Sequence, residues 1–151
     1  VLSLKIPPPI VGLATATLMW SCLYAVPEWT VSNATFKYAA IVLVIVGLLI
    51  ELLSVFRFFR AKTTINPLKP DRSKKLVTTG LYRYSRNPMY VGMLAMLFGF
   101  GLWLGHPLAL LMLIFFVWYI TTFQIKPEEH ILLEKFGKDY QAYQLRVRRW
   151  I

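Results

Sequence analysis

Long apolar stretches separated by short polar ones set the pattern of this 151-residue chain. Uncharged runs occupy residues 10–26, 38–50, 88–105 and 107–125, and the second continues past Glu51 to Phe56. A helix needs about 17–25 predominantly apolar residues to cross the hydrocarbon core of a bilayer. The pattern therefore predicts an all-α integral membrane protein with four transmembrane helices, at about residues 10–26, 37–59, 88–105 and 107–125. Buried helices of a soluble protein are the alternative, but four such runs leave too little polar surface to cover them. Composition agrees with the membrane reading. Only 16% of residues are charged and 57% are hydrophobic, whereas a soluble domain carries about a quarter charged residues.

The polar segments supply the punctuation. Pro7, Pro8 and Pro9 stiffen the entry to the first helix, Pro27 ends it, and Trp29 in the following short loop is an expected interface anchor. Residues 61–75 read as a connector with turns at Asn66-Pro67 and Lys69-Pro70-Asp71. Residues 76–87 are expected to lie at the interface in irregular or short helical structure. Pro88 suits the first turn of the third helix, where its missing N–H costs nothing. In that helix Ala95 and Gly99 form a small-xxx-small pair that lets another helix approach closely. Gly105-His106-Pro107 is too short for anything but a tight hairpin. Beyond the fourth helix, Pro127, Glu128 and Glu129 resemble the first turn of a cytoplasmic helix. Leu132, Phe136, Tyr140 and Tyr143 then recur as an apolar stripe, with Gly137 a possible break. This 126–151 segment is expected to fold back over residues 76–90, giving a single domain over 1–151.

Charge orients the chain. Of its 17 Lys and Arg residues, all but Lys5 and Lys37 fall between Arg57 and Arg86 or between Lys126 and Arg149. With four crossings both segments share one face, and the positive-inside bias makes it cytoplasmic, together with both termini. The formal charge of +10 then points to anionic lipid headgroups as partners, and no aromatic-plus-basic nucleic-acid motif is present. His106 and His130 are a whole span apart, so no metal site is expected. Cys22, the one cysteine, suits apolar packing. Glu51 is an acid within a span, either a functional group or a side chain reaching basic residues at the helix end.

No Gly-rich loop between strand and helix and no Ser-His-Asp or Cys-His set is present. What remains is a polar pocket between residues 76–90 and 124–143, floored by apolar helices. Taken singly, its residues have structural readings. Glu128 and Glu129 favour a helix N-terminus by about 0.3–1 kcal/mol each, Arg83 and Arg86 suit interface anchors, and Tyr82, Tyr84 and Tyr90 suit an aromatic belt.

Taken together, LVTTGLYRYSRNPMY at 76–90, Pro127-Glu128-Glu129 and the tail pattern Phe-Gly-x-x-Tyr-x-x-Tyr-x-x-Arg-Val-x-Arg resemble the isoprenylcysteine carboxyl methyltransferase and phospholipid methyltransferase family, over residues 66–151. The resemblance implies S-adenosylmethionine as cofactor. It would lie along Lys74, Lys75, Leu76 and Val77, touch Tyr82, and contact Asn87, Pro88, Met89 and Tyr90, where the prenylcysteine enzymes read His-Pro-x-Tyr. Glu128, with Glu129 in the lipid-methylating branch, would complete the site by accepting hydrogen bonds or pairing with an ammonium group. Those enzymes meet a substrate carboxylate with an arginine at the position of Gln124, and a neutral amide cannot form that bidentate pair. Lys126 or Arg86 would have to replace it.

The expected activity is methyl transfer to a lipophilic or amphiphilic acceptor at the cytoplasmic face of a membrane, expected to be the bacterial inner membrane. An isoprenylcysteine-like carboxylate, a lipid amine and a thiol all remain open as acceptors. Two other readings stand beside it. Membrane sterol reductases are similar in their C-terminal halves and bind NADPH, and a non-enzymatic protein could keep the fold alone.

Overall fold

The computed structural model describes residues 4–31, 33–61 and 75–151. The turns expected at Asn66-Pro67 and Lys69-Pro70-Asp71, and the candidate residue Lys74, lie outside the described residues. Within them the regular structure is entirely helical. Helix α1 spans Pro8–Ala25, α2 Ala34–Ala61, α3 Pro88–Leu104, α4 Pro107–Tyr119 and α5 Lys126–Arg146. A π-helical turn, Ile120–Ile125, joins α4 to α5. Short 3₁₀ turns occupy Pro27–Trp29 and Gly80–Arg83.

Each helix starts where the sequence removes a backbone donor or supplies a cap. Prolines stand in the first turns of α1, α3 and α4, where the N–H has no intrahelical partner. The side chain of Asn33 accepts the Thr35 N–H at 2.8 Å at the entry to α2. Gly105 ends α3 in the left-handed region, φ 64°, so the chain turns at once into His106 and α4. Its carbonyl accepts the Val31 N–H at 2.9 Å, and His106 Nε2 lies 2.9 Å from the Val26 carbonyl. The α1–α2 loop and the α3–α4 hairpin are therefore bound together at one end of the bundle. At the other end the Leu4 N–H reaches the Phe123 carbonyl at 3.0 Å.

That last bond has a cause in the sequence. Pro127 brings no N–H to the carbonyl four residues earlier, and its ring crowds it. Phe123 O is that carbonyl, and Leu4 takes up the released acceptor. The helix absorbs the proline in the π turn, where the Lys126 N–H reaches the Thr121 carbonyl, five residues back. The sequence reading placed a fresh helix start at Pro127, but the structure carries the helical run from Pro107 through Pro127 without a stop. The break expected at Gly137 is present: with φ 50° and ψ −122° this residue leaves the helical region and kinks α5 into two helical parts.

The tightest packing joins α2 to α3. A Cβ on Gly47 would come within 2.5 Å of the Gly92 carbonyl oxygen, and one on Gly99 within 2.7 Å of the Ala40 carbonyl oxygen. Residue 47 faces 92 while 40 faces 99, so the helices run antiparallel with backbones in contact. The expected pair of Ala95 and Gly99 is half right. Gly99 makes the contact, but its partner along α3 is Gly92, two turns away, and Ala95 borders an apolar cavity instead. Seven residues return nearly to the same helix face, whereas four overshoot it.

Met19, Ala109, Phe116, Ile120 and Ile125 are fully buried between α1, α3 and the α4 run. Outside that core, Leu13, Tyr24, Val42, Leu52 and Ile114 are exposed apolar side chains, as a lipid-facing surface requires. Three helices are long and apolar enough to cross a membrane: Pro8–Ala25, Ala34–Arg57 and the Pro107–Arg146 run. The fourth, Pro88–Leu104, is apolar with 17 residues. Cys22 is half-buried, with Sγ 3.4 Å from the Leu18 carbonyl.

Gly47→Val would push a side chain into a backbone oxygen that cannot swing aside. It is expected to cost about 1–3 kcal/mol, read as a lowered unfolding midpoint in lipid. Ala95→Val, beside the cavity, should stay within about 0.5 kcal/mol. Equal losses at the two positions would contradict this packing.

Candidate functional site

Residues 75–79 run without regular structure to the Gly80–Arg83 turn. Gly80 takes φ 67°, and a Cβ there would lie 2.5 Å from Arg57 Nε, so the turn seats against the end of α2. The turn buries Tyr82, whose carbonyl accepts the Tyr143 hydroxyl at 2.7 Å. Ser85 is buried next, and its Oγ accepts the Asn87 N–H at 3.0 Å. Asn87 then hands the chain to α3, whose first turn carries Tyr90 inward.

Tyr90 Oη donates to Glu128 Oε1 at 2.7 Å, and Gln124 Nε2 donates to the same oxygen at 2.5 Å. Gln124 belongs to the π turn and Glu128 to the first turn of α5, so the proline-induced turn sets their approach. Burial is the main force on Glu128 and pushes its carboxyl up to about 7, with the neighbouring charge of Glu129 adding to it. The hydrogen bonds from Gln124 and Tyr90 oppose that rise.

Glu129 has a different environment. Its Oε1 accepts Arg86 Nη2 at 2.6 Å and Arg149 Nε at 3.0 Å, while Oε2 accepts Arg149 Nη2 at 2.8 Å. The Arg86 and Glu129 side chains are 9% and 10% exposed, so this is an ion pair out of water. The bonds to Glu129 raise the Arg149 guanidinium still further. Arg86 Nε is buried without a partner. Tyr140 and Tyr143 line the same cluster, and burial lifts both phenols, with that of Tyr82, above their ordinary range. They stay neutral, and Tyr143 donates its hydroxyl to the Tyr82 carbonyl.

Two cavities flank this cluster. One, of about 380 Å³, lies between Thr78, Thr79 and Arg83 on one side and Tyr143, Arg146 and Val147 on the other. The second, of about 600 Å³, is almost wholly apolar and lies among α2, α3 and α4, with Leu43, Val91, Phe98 and Trp118 in its wall. Val91, which follows Tyr90 in the chain, is the lining residue nearest in sequence to the Glu128 group.

The candidate residues divide accordingly. Asn87, Pro88, Tyr90, Gln124, Glu128, Glu129 and Arg86 come together at one end of the bundle, with Met89 half-buried beside them. Lys75 is exposed, and Leu76 and Val77 are half-buried in the strand-like run leading to the smaller cavity. Arg86, expected at a substrate carboxylate, spends its Nη2 on Glu129 and donates through Nη1 to the Gln144 carbonyl at 3.3 Å. The Asn87 side chain donates to the Arg149 carbonyl at 2.9 Å. Sequence reasoning missed Arg149 as a site residue. Its signal was the two adjacent acids, which a chain of this charge can be expected to pair with arginine. Among the described residues no group of His, Cys, Asp and Glu side chains is arranged to hold a metal ion.

Fold and site together define an all-helical membrane protein with a buried, acid-containing polar cluster at one end of an apolar bundle. Residues 36–139 match the family model described as Phospholipid methyltransferase, and the chain belongs to that family. The match begins thirty residues before the region in which the motifs show a resemblance, and so takes in all of α2 but Ala34 and Thr35. An uncharacterized protein of Haemophilus influenzae is 46% identical over 63 residues, 42% of this chain and the whole of that protein. A probable protein-S-isoprenylcysteine O-methyltransferase of Oryza sativa subsp. indica is 32% identical over 111 residues, 74% of this chain and 58% of that protein. Protein-S-isoprenylcysteine O-methyltransferase B of Arabidopsis thaliana is 29% identical over 120 residues, 80% of this chain and 58% of that protein. The chain thus spans a little over half the length of these plant relatives. No solved structure matches it significantly.

Glu128 makes the pH behaviour predictable. Its folded value of about 7 lies above the ordinary 4.5, so its contribution to stability is greatest below pH 4.5 and is lost as pH rises through 7. The loss is on the order of 3 kcal/mol. Unfolding midpoints followed from pH 4 to pH 8 should fall across that window in the native chain, and Glu128→Gln should flatten the slope.

Proposed function

We propose that the chain is a methyltransferase using S-adenosylmethionine at the cytoplasmic face of a membrane, the bacterial inner membrane. In this reading all four helices cross and both termini are cytoplasmic. The acceptor is a lipophilic or amphiphilic molecule entering from the bilayer. The observation that carries the reading is the Tyr90–Glu128 hydrogen bond at 2.7 Å, which unites the Asn-Pro-x-Tyr and Glu-Glu motifs between an apolar cavity and a polar one.

The residues present fit the cofactor. Its ammonium or ribose hydroxyls suit a carboxylate such as Glu128, and its carboxylate suits the orphaned Nε–H of buried Arg86. Lys74, Lys75, Leu76 and Val77 would border it from the cytosolic side, and Tyr82 would close one wall. When bound, the cofactor supplies a methyl group on a sulfonium, which passes to the acceptor as the carbon–sulfur bond breaks. The chain's own part is proximity and orientation. Tyr90 and Gln124 hold the Glu128 carboxylate in one rotation, and Glu128 binds a cationic or diol group only once its proton is lost. The apolar cavity excludes water from the reacting end of an acceptor whose hydrocarbon lies among α2, α3 and α4.

Gln124 bears on the acceptor. It donates to Glu128 and brings no positive charge, so a carboxylate acceptor would have to find its cation elsewhere on the basic rim. Lys126 is the exposed cation nearest to Gln124 in the chain. Anionic lipid headgroups complement that same rim.

The purified chain in lipid nanodiscs should bind methyl-labelled S-adenosylmethionine, with affinity increasing from pH 6 to pH 8 as Glu128 ionises. Glu128→Gln should weaken binding and remove the pH dependence. Folded protein that binds no cofactor would end this reading, and binding of NADPH in its place would favour the reductase one.

A further inference from the structure

We infer that Glu129 positions the site without touching a ligand, and that Arg149 is the residue through which it acts. With Arg86 the two form a clamp that ties the C-terminal strand to the entrance of α3. The clamp's geometry is independent of the proposed function; its effect on cofactor binding rests on that reading.

Place in the sequence made Glu129 a second cofactor ligand beside Glu128. Its surroundings give it other work. Both carboxylate oxygens are engaged by guanidinium groups at 2.6–3.0 Å, one of them in a two-bond fork. The residue is 8% exposed, which leaves little surface for a ligand. Losing the acid would leave the Arg86 guanidinium, itself 9% exposed, without a counter-charge in a site nearly closed to water, which is costly.

What the clamp holds is an extended strand. After α5 ends, Val147 takes φ −127° and ψ 132°, and residues 148–150 run beside 85–87. The Arg86 N–H donates to the Arg148 carbonyl at 3.0 Å, and Asn87 Nδ2 donates to the Arg149 carbonyl at 2.9 Å. Trp150 Nε1 donates to Thr121 Oγ1 at 3.1 Å, anchoring the strand on the π turn. A segment without regular structure of its own is held in place by such contacts. Glu129 and Arg149 supply the tie, and the strand in turn fixes Asn87. Asn87 gives no side-chain cap to α3; its Nδ2 donates to the Arg149 carbonyl instead. Three residues on, the Tyr90 hydroxyl meets Glu128. The strand therefore touches both elements that carry a donor to Glu128, α3 through Asn87 and the π turn through Thr121.

The full chain in lipid nanodiscs distinguishes a clamp from a ligand contact, with S-adenosylhomocysteine as the calorimetric probe and hydrogen exchange as a second readout. Glu129→Gln and Arg149→Gln should each weaken binding about tenfold, and the double variant should be no weaker than the poorer single one. Arg149→Lys keeps the charge but loses the fork, and should recover part of the loss. Exchange should rise over residues 85–90 and 147–151 in both single variants while the α2–α3 contact stays protected. Weakened binding in Glu129→Gln alone, with Arg149→Gln unchanged, would make Glu129 a ligand contact and overturn the inference, as would additive losses. If the native chain binds no S-adenosylhomocysteine, the proposed function falls and exchange decides the clamp. Unaltered protection of residues 147–151 in Glu129→Gln would then refute it.

Discussion

Two adjacent carboxylates, Glu128 and Glu129, must both be accommodated where water is scarce, and the site is organised around that demand. Consecutive helical residues point about 100° apart, so the two acids face different neighbours. Glu129 meets two guanidinium groups, which engage both of its carboxylate oxygens. Glu128 meets a phenol and an amide, neutral donors that do not fully offset its burial, so it holds a proton up to about pH 7. One acid is thus locked into structure while its neighbour remains able to change charge. Had both met arginines, the pocket would lack a titratable group. Had neither, two buried charges would repel across a single turn.

The frame that brings these groups together is made in the apolar layer. Backbone contact at Gly47–Gly92 and Ala40–Gly99 fixes the height of α3 against α2, and hence the level at which Asn87 and Tyr90 emerge. The α4 run reaches that level from the opposite direction. Pro127 does not stop it; the π turn takes up the missing hydrogen bond, presents Gln124 toward Glu128, and frees the Phe123 carbonyl for Leu4. π turns of this kind often occur at functional sites. Here the local cause is a single proline one residue before the acid it helps to orient.

Membership of the phospholipid methyltransferase family covers residues 36–139. The matched region holds the Asn-Pro-x-Tyr and Glu-Glu segments but stops short of Arg149, so the clamp draws one arginine from inside the matched region and one from beyond it. The plant relatives named as isoprenylcysteine O-methyltransferases are longer than this chain. Gln124 and the engagement of Arg86 with Glu129 both bear on how an acceptor is held, and neither involves the apolar cavity that would take its hydrocarbon.

The apolar helices and several of their ends were legible in the one-dimensional pattern, because crossing a bilayer demands apolar length and because proline and glycine act on their own turns. Pro88, Pro107 and Gly105 mark real helix ends for that reason. Asn87, Tyr90, Gln124, Glu128 and Glu129 were legible as a group through their motifs. Their division of labour was not, since it turns on which side chains meet across 38 to 62 residues of sequence. Ala95 was chosen as a packing residue on spacing alone, and the register of α2 selected Gly92. Pro127 looked like a helix start, and only the continuing core beneath it, with Ile120 and Ile125 fully buried, kept the helix running. Sequence alone settled what local chemistry dictates: apolar length, turn residues and the presence of two acids. Tertiary structure decided which acid would be paired with arginine, because that depends on where the C-terminal strand comes to rest, and no local preference determines it.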